Sequence, residues 1–220
     1  MSTMSTAFVP GDSTSAPPAP APAPDRGGVV LQDVSWDAYV RLCDESGGRG
    51  HRMWYDQGVL EIVAAQLNHE ADASMIGQML GRHCDRNDRE YFLARTTTFR
   101  RQDLLRGFEG DEALYLANEP AVRDLGRLDL SIHPPPDVLI EVEYSSTVVN
   151  KLELIAAFGI PEVWRCRNRR IWRGALQNGL YVAIDESRQV PGFPFAVAEE
   201  VLAMGGGMLS RLRHFTSRLD

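Results

Sequence analysis

Residues 134–146 read PPPDVLIEVEYSS, and residues 151–159 read KLELIAAFG. The three prolines stop strand pairing before Asp137. From there to Tyr144 the run reads as a strand, which sends successive side chains to opposite faces. Val138, Ile140, Val142 and Tyr144 fall on one face, and Asp137, Leu139, Glu141 and Glu143 on the other. The spacing predicts one core-facing side and one side carrying two acids two residues apart. Adjacent same-face acids repel each other, and a divalent cation turns that repulsion into attraction. Mg²⁺ suits such a pair because it takes a few carboxylate oxygens and keeps several waters. The competing reading is a solvated edge strand whose charges deter aggregation.

Lys151, which opens the next segment, is the only lysine among 23 basic side chains; every other one is arginine. Arginine is a planar fork that stays charged, whereas lysine is a compact charge whose pKa responds to its surroundings. Carboxylates on a strand followed by a single ammonium are what metal-assisted phosphodiester cleavage needs. An arginine-favouring composition with one chance survivor is the alternative account.

Working outward, Val148 to Phe158 reads as a helix closed by Gly159, and PEVWRC, RRIWRGAL and GLYVAI read as strands. AVAEEVLAM and MLSRLRHFTSRL are helical pieces. Upstream, Ser35 is placed to cap the helix WDAYVRLCDE. RMWYDQGVLEIVA reads as a hairpin whose two apolar runs flank a short loop at Asp56-Gln57-Gly58. Asn68 is the expected cap of a helix from His69 to Arg86, with Ala73, Ile76, Leu80 and Cys84 at helical spacing. EYFLARTTTF reads as one strand by its aromatic and β-branched content, RRQDLLRG as a turn, and ALYLAN as a strand entered from Asp111-Glu112. These elements make an α+β fold with a mixed central sheet.

At 220 residues the chain is long enough for one well-packed domain. Residues 1–28 are rich in Ser, Thr, Pro and Ala and are expected to be an extended or disordered tail, with the domain over 29–220. The formal net charge of -7 argues against a surface coated for non-specific nucleic-acid binding, though not against a local basic groove. Cys43, Cys84 and Cys166 have neither zinc nor disulfide spacing, which fits a reducing cytoplasm. No apolar run is long enough to span a bilayer, and no secretion signal is expected.

The segments VSWDAYVRL, YDQGVLEIV, NHE, TTTFRRQDLLRGFEGDEALYLAN, PPPDVLIEVEYSS and KLELIAAFGIPEVWR, in this order and spacing, resemble the Uma family of restriction-endonuclease-like proteins, within the PD-(D/E)xK nuclease superfamily. The resemblance implies a restriction-endonuclease-like core, a mixed sheet flanked by helices. It matches Asp111 to the first metal-binding acid and Glu141 to the second. Gly110 stands where the superfamily motif has proline. Glu143 stands where the motif lysine is usual, and Lys151 matches a lysine migrated to the following helix. Asp111 and Glu141 are thus implied ligands of Mg²⁺ or Mn²⁺, Lys151 the group that orients water or stabilises developing charge, and Glu143 a further ligand or a restraint on Lys151. His69 and Glu70 match the family's HE pair and are accessory candidates. Without the resemblance, Asp111 reads equally as a turn aspartate and His69 as a hydrogen-bonded residue at a helix start.

Arg100, Arg101 and Arg106, just upstream of Asp111, are candidate phosphate contacts, as are Arg165, Arg167, Arg169, Arg170 and Arg173 around a strand pair. The expected function is that of a Mg²⁺-dependent DNA endonuclease. A homodimer is expected by analogy with other enzymes of the fold. A non-catalytic binding or regulatory protein on the same fold is the alternative, and a metal-dependent hydrolase of another substrate is a third.

Overall fold

The computed structural model describes residues 28–47, 50–64, 66–95, 97–144 and 148–219. The tail expected over 1–28 lies outside the described residues, except Gly28, which opens the first strand. The fold is α+β, as the pattern predicts, but the strands divide into two sheets. The first has five antiparallel strands in the order β1-β3-β2-β6-β5: β1 (Gly28–Leu31), β2 (His51–Asp56), β3 (Val59–Ala64), β5 (Thr98–Arg101) and β6 (Arg106–Glu109). The second runs β11-β10-β9-β8-β7-β4, from β4 (Phe92–Leu93), β7 (Glu112–Tyr115), β8 (Val138–Glu143), β9 (Glu162–Arg167), β10 (Arg170–Gln177) and β11 (Leu180–Ala183). It is mixed, because β8 and β9 run parallel while its other pairs are antiparallel.

Three apolar clusters hold these layers together. Helix α1 (Trp36–Ser46) packs Tyr39 and Cys43 against Met53, Tyr55 and Leu60 on the outer face of the first sheet. It starts where expected, with the Ser35 hydroxyl accepting from the Ala38 amide at 3.2 Å. On the far side of the second sheet, α2 (Leu67–Arg86), α4 (Phe195–Ala203) and α5 (Met208–Thr216) cover Val138, Ile140, Val142 and Trp164. Between the sheets lie Trp54, Phe99 and Phe108 from the first, Leu139 and Val163 from the second, and Leu154 and Ile155 of α3 (Lys151–Ala157). Helix α3 is the crossover that a parallel β8–β9 pair requires.

Two expectations are corrected here, and one competing reading is excluded. Asn68 does not cap α2: the helix opens at Leu67 after Gln66, which makes no side-chain cap, so Asn68 already sits in the first turn. EYFLARTTTF is not one strand but β4 and β5, in different sheets. The break comes at Arg95, which adopts a left-handed φ of 46° with its amide held by Glu112 Oε1 at 2.9 Å. Such a conformation is incompatible with a continuous strand. Finally, β8 is an interior strand with Glu141 buried, not a solvated edge.

Candidate active site

Both faces of β8 are buried, so its acids have to be balanced by partners rather than by water. Asp137, just before the strand, serves the backbone: its Oδ2 accepts from the amides of Leu116 at 2.6 Å and Asn118 at 3.2 Å. Glu141 is 1% exposed. β7 pairs antiparallel with β8, Glu112 opposite Ile140, which sets Asp111 beside Glu141. Asp111 Oδ2 accepts from the Val142 amide at 2.7 Å. Gly110 packs closely at this point: a Cβ there would meet Leu139 Cδ1, the end of a flexible side chain, at 2.7 Å.

Lys151 sits at the first position of α3, after Asn150, whose side chain caps the helix by accepting from the Glu153 amide. Its Nζ lies 2.9 Å from Glu141 Oε2 and 4.0 Å from the centroid of the Trp54 ring, a favourable place for an ammonium. Glu61 on β3 fixes the approach to this helix: its Oε2 accepts from the amides of Val148 at 2.9 Å and Val149 at 3.0 Å. His69, in the first turn of α2, brings Nε2 to 3.2 Å from Asp111 Oδ2. Arg52 on β2 reaches both acidic candidates near it, Asp111 Oδ1 at 3.4 Å and Glu70 Oε1 at 2.6 Å.

The electrostatics follow from burial opposed by pairing. Burial pushes the Glu141 carboxyl up to about 8, against the pull of the Lys151 ammonium. Burial disfavours the charged form of Lys151, but the Glu141 and Asp111 carboxylates outweigh it and raise its pKa. Asp111, desolvated as deeply, is nevertheless lowered by its hydrogen bond to His69 and by the charges of His69 and Lys151. His69 is raised in turn, the Asp111 bond overcoming its desolvation.

The residues named from the sequence therefore divide. Asp111, Glu141, Lys151 and His69 converge. Glu70 reaches the cluster through Arg52. Glu143 turns to Arg165, which donates from Nε and Nη2 at 2.8 Å each. Arg100 pairs with Asp44, Arg101 with Asp103, and Arg106 with Asp56. Sequence reasoning passed over Arg52 and Trp54. The signal was an arginine within the apolar run RMWY, where a strand buried on both faces has room for a charge only against a partner.

A cavity of about 40 Å³, walled by Arg52, Trp54, His69, Asp111, Glu143 and Lys151, opens beside the cluster, enough for a few water-sized groups. Among the described residues no group of three or more His, Cys, Asp or Glu side chains is arranged as a metal cage. The fit to a small hard cation rests instead on two carboxylates and one orphaned atom. Glu141 Oε1 is buried without a hydrogen-bond partner, an arrangement that costs free energy unless something occupies it.

A family model described as "Uma2: Putative restriction endonuclease" matches residues 36–198. Among solved structures, a protein from Anabaena variabilis described as a putative nuclease belonging to DUF820 is similar in fold. The TM-score is 0.50 at 14% identity, covering 83% of this chain and 99% of that one. No curated protein matches the chain. Among the described residues no helix is long and apolar enough to cross a membrane.

Proposed function

The chain belongs to the Uma2 family, and from that premise we propose that it is a Mg²⁺-dependent DNA endonuclease whose centre is Asp111, Glu141 and Lys151. The observation that carries the reading is the meeting of two buried carboxylates from neighbouring strands with the sole lysine at 2.9 Å from one of them, while Glu141 Oε1 is left without a partner. Asp111 and Glu141 would hold the cation; Mn²⁺ would serve in its place. Bound there, the ion would supply a water of lowered pKa and would neutralise charge building on the phosphate.

The protein's own groups have separable tasks. Lys151 carries a charge that its carboxylate neighbours keep in place, within a site mostly shut from water, where a fixed ammonium stabilises a developing oxyanion better than it would in bulk solvent. Trp54 and Glu61 hold that ammonium, one beneath it and one through the backbone leading to its helix. His69 donates to Asp111 and orients it. A cytoplasmic homodimer would bring two such centres to the two strands of a duplex.

Plasmid cleavage tests the reading. Wild type should nick supercoiled DNA with Mg²⁺, stop in EDTA, and lose about 10²–10³-fold in rate in Lys151→Ala, the scale of removing a charge-stabilising donor. Equal nicking by wild type and variant would overturn the assignment. A second reading, a non-catalytic DNA-binding protein, is favoured by one observation: Arg52 and Lys151 already balance the two acids. It predicts binding without cleavage under every metal condition.

A further inference from the structure

Two arginines at the mouth of the site have no partner among the described residues, and their positions indicate where a nucleic-acid strand would pass. In the parallel β8–β9 pair, Glu141 lies opposite Arg165 and Glu143 opposite Arg167. Aligned residues of adjacent strands share a face, so Arg167 stands on the face that carries both acids, one strand over. Arg165 is committed to Glu143. Arg167 is exposed, and no group among the described residues takes its guanidinium.

Arg169 follows in the tight turn to β10. Asn168 and Arg169 both adopt left-handed φ, 51° and 62°, as a two-residue turn between right-twisted strands requires. With Asn68, Asp72 and Tyr144, Arg169 lines an open depression of about 520 Å³. Tyr144 also walls the cavity beside Asp111 and Lys151, so the two hollows share this residue. The acids nearby are already engaged: Asp72 accepts from the Tyr144 hydroxyl at 2.6 Å, Glu143 holds Arg165, and Glu199 holds Arg170 at 2.6 Å. Arg169 has no side-chain partner among the described residues.

In a chain of net charge -7, uncommitted guanidiniums beside the site suit a phosphate backbone, whose oxygens match the arginine fork. We propose that the β9–β10 hairpin tip is a phosphate clamp, in which Arg167 and Arg169 bind DNA phosphates flanking the one at the acidic centre. The proposal rests on the nuclease reading above. It also separates the hairpin from Arg100, Arg101 and Arg106, each of which already has a carboxylate partner.

The test is binding of a short fluorescein-labelled DNA duplex, read by anisotropy across a salt series in the absence of divalent metal. Removing one arginine–phosphate pair should make the slope of log K against log salt shallower by about 0.9. Arg167→Ala and Arg169→Ala should each do so, and the double variant should add the two. Arg213→Ala makes the same change in net charge on α5, which packs against α2 and α4, and should leave the slope unchanged. Wild-type binding with the same slope in all variants, or an equal flattening in Arg213→Ala, overturns the clamp and leaves the nuclease reading standing. No binding by wild type removes the clamp together with that reading.

Discussion

The two faces of β8 are stabilised in opposite ways. Val138, Ile140 and Val142 enter the apolar layer beneath α2, α4 and α5, where burial itself is favourable and each side chain adds to stability in proportion to the area it covers. On the other face Leu139 still packs between the sheets, but Glu141 and Glu143 have to be compensated, one by Lys151 and one by Arg165. Neighbouring positions on one strand thus differ in sign: one contributes to the fold, the next costs it free energy and is held in place by its surroundings. Strain of this kind is expected where a protein keeps its chemistry.

The sharpest way to break this contrast is to change both faces and measure unfolding. Ile140→Ala should destabilise by about 2–5 kcal/mol, as a fully buried aliphatic deletion does, with little change in the intrinsic chemistry of the folded fraction. Glu141→Gln should have the opposite sign at alkaline pH. In the unfolded chain a glutamate titrates near about 4.3, whereas in the fold Glu141 sits at about 8. Between these values the folded state binds the extra proton, so stability of the metal-free protein falls as pH rises from about 5 through 8. His69, raised in the fold, adds a loss of the same sign as pH rises through its folded pKa. Asp111, lowered, contributes stability above its unfolded pKa that disappears on acidification. Denaturant unfolding against pH should show the slope between about 5 and 8 reduced in Glu141→Gln; an unchanged slope would place the titration elsewhere.

Smaller effects sharpen the comparison further. Glu61→Ala removes the carboxylate that accepts from the Val148 and Val149 amides and should cost about 1–3 kcal/mol by denaturant unfolding. Metal-dependent cleavage should fall as well, because Lys151 follows two residues later. Arg101→Ala removes an exposed pair with Asp103 and should leave the denaturant midpoint nearly unchanged.

The strand pattern of residues 137–144 was enough to place Glu141 on a strand, and the cap at Ser35 and the hairpin around Gln57-Gly58 were legible because their causes are local, though Asp56, read as loop, closes β2. The meeting of Asp111 with Glu141 is set by β7–β8 pairing, and resemblance rather than periodicity supplied it. The roles of Arg52, Trp54 and Glu61 were hidden because they arise where the first sheet folds over the second, between residues far apart in the chain. The break at Arg95 escaped notice for a related reason. A non-glycine residue is held at positive φ there by the carboxylate of Glu112, which no window of neighbouring residues contains.

Direct titration of Mn²⁺ into the purified chain, followed by calorimetry, is the measurement that bears most closely on the acidic centre. The account predicts a saturable divalent site in wild type that is lost in Glu141→Gln and in Asp111→Asn, both still folded by circular dichroism. Binding that is absent from wild type, or that survives both substitutions undiminished, would contradict it.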